Sequence, residues 1–344
     1  MTDPRIIGIG TASPSLRLTQ EESFHAAGYE SERVRNIFLN SDIDYRHFHL
    51  EGALDRAESS DQMNQRYLRG AMKIGCLAIM NCVKAAGVTV QAVDFLAVCT
   101  CTGYVCPDIG TRLIAHMGLR NNLQRASMDG LGCAGAIPTL QRTVDFVRAN
   151  PGRTALMLAV EICSACYFVD KTFETVIGNA ICADGAAAFL LSSEDHADRR
   201  YPQIVDFETF LDTAQIDEVG LNHRDGKLRI VLGASIQHLA APMIETALVR
   251  LLDRHRLSTS DIRFWAVHPG GRKVLDNVQK HFGMSDAQLR FSRTVLRNFG
   301  NMSSPTVMFV VDEVVRNGDP HCGDLGIMIA LGPGMAAEVA LLRW

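Results

Sequence analysis

The chain has 344 residues, 47% of them hydrophobic and 21% charged, with a formal net charge of −4. That composition excludes a disordered chain, and a slightly negative balance without basic runs argues against nucleic acid as the main partner. No apolar stretch is long enough to span a bilayer, and Met1-Thr2-Asp3-Pro4-Arg5 lacks the basic-then-apolar profile of a secretory signal, so no membrane association and a cytoplasmic location are expected.

The first helical pattern runs through Leu68, Met72, Cys76, Ile79 and Val83 and ends near Gly87. A continuous apolar strand, Phe95 to Cys101, then leads into Thr102-Gly103. A helix is expected after Cys133, with Cys133, Ile137, Leu140, Val144 and Val147 on one face. The strand Thr154 to Ile162 follows. The polar stretch Ser192 to Pro202 is the best boundary candidate and otherwise reads as a charged surface loop. Beyond it, Ile244, Ala247, Leu248, Leu251 and Leu252 form a helical face ending near His255. The strand Phe264 to Val267 runs into His268-Pro269-Gly270-Gly271, a helix follows Ser304, and the strand Gly326 to Leu331 comes last. Helix, strand, loop, helix, strand thus occurs twice. The expectation is an α/β protein of two similar packed halves, residues 1–200 and 201–344.

Ten cysteines are present: Cys76, Cys82, Cys99, Cys101, Cys106, Cys133, Cys163, Cys166, Cys182 and Cys322. Most lie in apolar runs, as reduced, buried cysteines do. Cys163 and Cys166 form one CxxC, but no second pair or histidine pair completes a zinc site, so no metal is expected.

Cys133 differs from the others. It sits in Asp129-Gly130-Leu131-Gly132-Cys133-Ala134-Gly135, where small residues allow close approach. A cysteine at a helix start meets free N–H groups and the positive end of the dipole, both of which stabilise thiolate. His268, at the C-terminal end of a strand in a Gly-rich loop, is placed as a site residue of an α/β sheet. Asn301, in Asn298-Phe299-Gly300-Asn301-Met302-Ser303-Ser304, reads by itself as turn chemistry, yet its amide can also donate to a carbonyl that gains negative charge. Together the three suit thioester chemistry: a sulfur that takes an acyl group, and donors that stabilise an enolate as CO2 leaves. A cysteine protease could use the same residue types, so the types alone leave the reaction open.

In order along the chain, Gly132-Cys133-Ala134-Gly135, Asp184-Gly185-Ala186-Ala187-Ala188, His268-Pro269-Gly270-Gly271, Gly300-Asn301-Met302-Ser303-Ser304 and Gly332-Pro333-Gly334 resemble the motifs of bacterial type III polyketide synthases, condensing enzymes of the thiolase superfamily. The stretch Arg35 to Asp44 and the C-terminus to Trp344 are similar to those of the 3,5-dihydroxyphenylacetyl-CoA synthases within that family. The resemblance implies a thiolase-like αβαβα core and a homodimer. It also implies decarboxylative condensation of malonyl-CoA, with Cys133, His268 and Asn301 catalytic. The substrates would be coenzyme A thioesters, with another acyl-CoA as the other starter class, and no cofactor is needed. Cys106, Cys166, Cys182, Ile230 and Ser303 would line the cavity, Cys106 reaching in from the partner subunit, and Arg46 would hold coenzyme A. By the resemblance, Cys182 and Ile230 stand where plant members of the family carry gating phenylalanines, and Cys166 where a cavity-lining threonine is found, which would reshape the cavity. The alternatives are a ketosynthase-III-like enzyme making one condensation or a simple acyl transfer, and a non-catalytic subunit of a biosynthetic complex.

Overall fold

A computed structural model describes residues 3–50, 58–167, 169, 172–194 and 200–344. The first block of the chain holds β1 (Arg5–Ala12), a ribbon of β2 (Leu16–Thr19) and β3 (Tyr45–Phe48), and β4 (Val93–Thr100), β5 (Gln124–Asp129), β6 (Thr154–Ile162) and β7 (Asp184–Ser192). Its helices are α1 (Gln20–Ala26), α2 (Glu32–Leu39), α3 (Ser60–Ala85), α4 (Ile109–Met117), α5 (Ala136–Ala149) and α6 (Phe173–Ile181). The second block holds β8 (Gln203–Leu211), a ribbon of β9 (Val219–Arg224) and β10 (Lys227–Leu232), and β11 (Ile262–Val267), β12 (Leu325–Gly332) and β13 (Ala336–Arg343). Its helices are α7 (Ile236–His255), α8 (Arg272–Phe282), α9 (Asp286–Phe299) and α10 (Pro305–Asn317).

The four apolar runs are β4, β6, β11 and β12, and their unbroken hydrophobicity has the expected cause. Both faces are covered: all of β7 and all but the first residue of β6 are buried. The sheet order is β11-β12-β13-β8-β1-β7-β6-β4-β5. On one side of the β8–β1 seam, β7 runs antiparallel to β1 and β6, and β6 parallel to β4. On the other, β13 runs antiparallel to β8 and β12, and β12 parallel to β11. The two blocks share one pairing scheme. The seam is narrow, with Arg5 opposite Gln203 and flanking backbone bonds from Ile6 to Pro202 and from Ile204 to Pro4. The boundary candidate Ser192 to Pro202 includes residues 195–199, which lie outside the described residues.

Helices complete the layers. A capping box between Ser59 and Gln62 starts α3, which lays Ala71, Ile74, Ala78 and Ile79 on the outer face of the first block. On the far side, α7 covers the second block with Ile244, Ala247, Leu248 and Leu251. Between the blocks, Ile137, Leu140 and Val144 of α5 and Val307, Val310 and Val311 of α10 share a core with Phe189 of β7 and Met328 of β12. The result is a thiolase-like αβαβα stack with α5 and α10 as its middle layer. No helix among the described residues is long and apolar enough to cross a membrane.

The β1–α3 contact is backbone on backbone. A Cβ on Gly10 would run into the Ala78 carbonyl and the Cys82 amide, whereas one on Gly87, at φ +69°, would meet open space. Gly10→Ala is therefore expected to cost ~3 kcal/mol through overpacking, and Gly87→Ala about 1 kcal/mol through its left-handed backbone. Urea unfolding of the two variants checks this. Equal losses would contradict the close approach.

Candidate active site

The nucleophile turn follows β5. Gly132 has φ +52°, and a Cβ there would strike the ring of Pro333. A Cβ on Gly332 would strike Ala134. Thus the Gly332-Pro333-Gly334 turn between β12 and β13 packs directly on the cysteine turn, which is why both need glycine. Cys133 lies in a 3-10 turn, Gly132–Ala134, and α5 begins only at Ala136, so the cysteine precedes the helix instead of opening it. Burial then outweighs the helix end and pushes the Cys133 thiol up to about 12, opposed by interactions with the Ser303 hydroxyl and the Asn301 amide. The expectation that the helix begins at Cys133 is corrected: it begins at Ala136.

His268 leaves β11 with its N–H bonded to the Ile329 carbonyl of β12 at 2.8 Å. Its ring is 5% exposed, and neither ring nitrogen has a hydrogen-bond partner among the described residues. Burial pushes its pKa down to about 4, so the imidazole is neutral at rest. Asn301 is held on four sides. Its N–H donates to the Ile181 carbonyl at 2.8 Å and its carbonyl accepts from Ala183 at 2.9 Å. Its Oδ1 accepts from the Ser303 N–H at 2.8 Å, and its Nδ2 reaches the Gly270 carbonyl at 3.3 Å. The Oδ1 bond fixes the amide with its donors toward the histidine loop.

These three side chains come together. Cys133, His268 and Asn301 line one cavity of about 480 Å³ with Ile181, Gly271 and Met335. Cys133 and Asn301 also border a second cavity of about 820 Å³, lined by Cys182, Ile230, Ser303, Cys101, Cys163 and others. The sulfur therefore stands where the two spaces meet.

Of the other residues expected at the site, Cys182, Ile230 and Ser303 line the larger cavity. Cys166 does not: it is buried behind the wall and its thiol donates to the Thr102 carbonyl at 3.3 Å. Cys106 is exposed and lines neither cavity of its own chain. Arg46 is corrected most clearly. Its side chain is 0% exposed. It donates to the Gln20 Oε1 at 2.7 Å, the Tyr167 hydroxyl at 3.2 Å, and the carbonyls of Asn179 at 2.7 Å and Cys182 at 2.8 Å. It lies against Gly300, where a Cβ would strike its stem. Arg46 braces the asparagine loop from within and faces no opening.

Sequence reasoning missed Glu161. It is the one charge inside the apolar run Thr154 to Ile162, and that oddity was the available signal. Its buried carboxylate accepts from the N–H groups of Cys101 and Thr102, each at 3.0 Å, the Thr102 hydroxyl at 2.8 Å and the Ser304 hydroxyl at 2.8 Å. Burial raises its pKa and these donors lower it. Also missed were Arg272 and Lys273, which open α8 directly after the histidine loop and line the smaller cavity. The Arg272 Nε is buried there without a partner among the described residues. No group of three or more His, Cys, Asp or Glu among the described residues is arranged to hold a metal.

An αβαβα stack whose two halves deliver a cysteine, a histidine and an asparagine to one cavity defines the class of thiolase-like condensing enzymes. The family model of chalcone and stilbene synthases, C-terminal domain, matches residues 205–344, and that of FAE1/type III polyketide synthase-like proteins matches residues 32–264. The chain belongs to the type III polyketide synthase family and is an acyl-condensing enzyme. It is 31% identical to a 3,5-dihydroxyphenylacetyl-CoA synthase of Amycolatopsis orientalis, over 99% of this chain and 93% of the relative. It is 30% identical to a putative chalcone synthase of Bacillus subtilis (strain 168), over 98% of both. Among solved structures, PKS-I of the brown alga Ectocarpus siliculosus superposes with a TM-score of 0.92 at 29% identity, covering 100% of this chain and 98% of that one. The 1,3,6,8-tetrahydroxynaphthalene synthase of Streptomyces coelicolor A3(2) superposes at 0.91, with 24% identity and 99% of each chain covered.

Burial disfavours either charge alone, so a thiolate on Cys133 would form most readily if its proton passed to His268, giving an ion pair. His268→Gln is expected to slow iodoacetamide alkylation of Cys133 at neutral pH roughly tenfold or more, with the rate recovering only as pH climbs toward the thiol's own value of about 12. Alkylation rates against pH, read by peptide mass, check this. An unchanged profile in the variant would show that His268 does not take the proton.

Proposed function

We propose that the protein condenses malonyl-CoA units by decarboxylation on a Cys133-bound acyl chain. The observation that carries this reading is the pair of side chains that share a cavity with Cys133: a buried neutral imidazole whose nitrogens have no partner among the described residues, and an amide whose orientation is fixed by Ser303. In the loading step the Cys133 sulfur attacks a thioester carbonyl, His268 takes the thiol proton, and coenzyme A leaves as the thiol with that proton. In the extension step, N–H groups of His268 and Asn301 donate to the malonyl thioester oxygen. As the C–C bond to CO2 breaks, its electron pair passes into the enolate, and those donors hold the new charge. The enolate carbon attacks the Cys133 thioester carbonyl, the C–S bond breaks with its electron pair returning to the sulfur as thiolate, and the lengthened chain is left on the incoming coenzyme A, from which it reloads onto Cys133 for the next extension.

The larger cavity, about 820 Å³, has room for several extensions and favours a multistep synthase over a single condensation. The product we propose is 3,5-dihydroxyphenylacetyl-CoA or a related small aromatic or pyrone polyketide. In this reading coenzyme A enters through the smaller cavity, where Arg272 and Lys273 supply the cationic contacts first assigned to Arg46. The only small molecules required are the thioester substrates. We also propose a homodimer, supported by the exposed Cys106 and by β5, a largely exposed strand at the sheet edge. A cytoplasmic location fits a user of coenzyme A thioesters.

The test is incubation of purified protein with malonyl-CoA alone, with products read by liquid chromatography and mass spectrometry. The wild type is expected to give a polyketide of several malonate units and Cys133→Ala none. Asn301→Ala is expected to lower CO2 release ~100-fold or more, the scale of a lost oxyanion donor. A product that survives Cys133→Ala would overturn the reading. So would acylation of Cys133 by other acyl-CoA donors without any extension.

A further inference from the structure

We propose that Arg46 is a positioning residue for decarboxylation: its buried guanidinium fixes the C-terminal turn of α6, and that turn sets where the Asn301 amide stands. The inference rests on the reading of Asn301 as a donor to the enolate.

A helix leaves its last four carbonyls without partners of its own. In α6 these belong to Gly178, Asn179, Ala180 and Ile181, and each is taken. Gly178 accepts from the Cys182 N–H at 2.9 Å. Asn179 accepts from the Arg46 Nη1 at 2.7 Å and from the Tyr167 hydroxyl at 2.9 Å. Ala180 accepts from the Gln20 Nε2 at 2.8 Å. Ile181 accepts from the backbone N–H of Asn301 at 2.8 Å. The asparagine of the site is thus part of the helix cap. Beyond the helix the chain extends, with Cys182 at φ −76° and ψ 148°. The Cys182 carbonyl accepts from the Arg46 Nη1 at 2.8 Å. Residues Cys182 and Asn301 form a β-bridge, and the Ala183 N–H donates to the Asn301 carbonyl at 2.9 Å. The short segment 181–183 therefore holds Asn301 on both sides and is itself held by Arg46.

Arg46 also touches the asparagine loop directly. A Cβ on Gly300 would lie 2.9 Å from its Cγ and 3.0 Å from its Cδ. The arginine is fixed in turn. Its Nε donates to the Gln20 Oε1 at 2.7 Å, and its Cζ stands 5.4 Å from the Phe38 ring centre and 5.0 Å from that of Phe48. A cation at a helix C-terminus is favoured by the dipole. The donors of a planar guanidinium reach Gln20, Asn179 and Cys182 at once, whereas the single nitrogen of a lysine does not span these acceptors. Cys133 is seated on a different contact, Gly132 against Pro333. Loss of the guanidinium therefore displaces the amide and leaves the sulfur in place.

The test compares full-length Arg46→Lys, Asn301→Ala and the double variant in two assays. One is CO2 release from malonyl-CoA. The other is single-turnover acylation of Cys133 by acetyl-CoA, which has no carboxylate to lose. Arg46→Lys is expected to lower CO2 release roughly tenfold or more, the scale on which a misplaced group acts, while KM for malonyl-CoA and acylation of Cys133 stay near their wild-type values. Adding Arg46→Lys to Asn301→Ala is expected to cost little further, because the two residues act as one unit. An arginine that merely supports the fold would lower both assays in parallel and add its full loss in the double variant, and that result would overturn the proposal. A loss of CO2 release in Asn301→Ala with none in Arg46→Lys would overturn this inference alone. Undiminished CO2 release in Asn301→Ala would overturn the reading of Asn301, and the inference with it. If Arg46→Lys does not fold, Gln20→Met, which removes the anchor of Nε and leaves the cation, carries the same comparison.

Discussion

The geometry of the site depends on one buried carboxylate. Glu161 ends β6 at the middle layer, and its two oxygens collect donors from the two halves of the chain. Oε2 takes the N–H groups of Cys101 and Thr102 beyond β4, and Oε1 takes the Ser304 hydroxyl at the start of α10. A charge with no exposure survives only where such donors converge on it. Since Ser304 follows the asparagine loop and Cys101 touches Ser303, the same carboxylate sets the distance between the cavity wall of the first half and the asparagine of the second. The pairing of Gly132 with Pro333 ties the halves together a second time.

Within that frame the electrostatics are set by burial. Burial drives the cysteine and the histidine toward their neutral forms, the thiol up and the imidazole down. In the proposed mechanism this neutral pair separates charge only when a proton moves between its members. The same neutrality leaves the imidazole an N–H to offer a thioester oxygen. Two cavities meet at Cys133, a smaller one lined by the cationic Arg272 and Lys273 and a larger one of about 820 Å³.

Much of this was legible in the sequence, for physical reasons. Strands covered on both faces must be continuously apolar, so β4, β6, β11 and β12 announced themselves. Cys133, His268 and Asn301 stood out because each sits among glycines that a backbone packed tightly around a site requires. What escaped was set by tertiary packing. Arg46 carries the same charge whether it faces a phosphate or the protein interior, and only the fold shows its guanidinium donating to Gln20, Tyr167 and two carbonyls. Cys166 and Cys163 lie three residues apart in one turn, yet only Cys163 reaches the cavity. The start of α5 shifted past Cys133 because Gly132, at φ +52°, turns the chain before the helix can begin. Glu161 was hidden inside a strand pattern that its neighbours dominate.

The central claim is that the acyl chain is built on a single sulfur at the meeting point of the two cavities. The most direct measurement is a brief exposure of the enzyme to malonyl-CoA, an acid quench and peptide mass mapping of all ten cysteines. The account requires malonate-derived acyl groups on the peptide that carries Cys133 and on no other. Acyl groups on Cys101, Cys163 or Cys182 instead, with Cys133 left free, would contradict it.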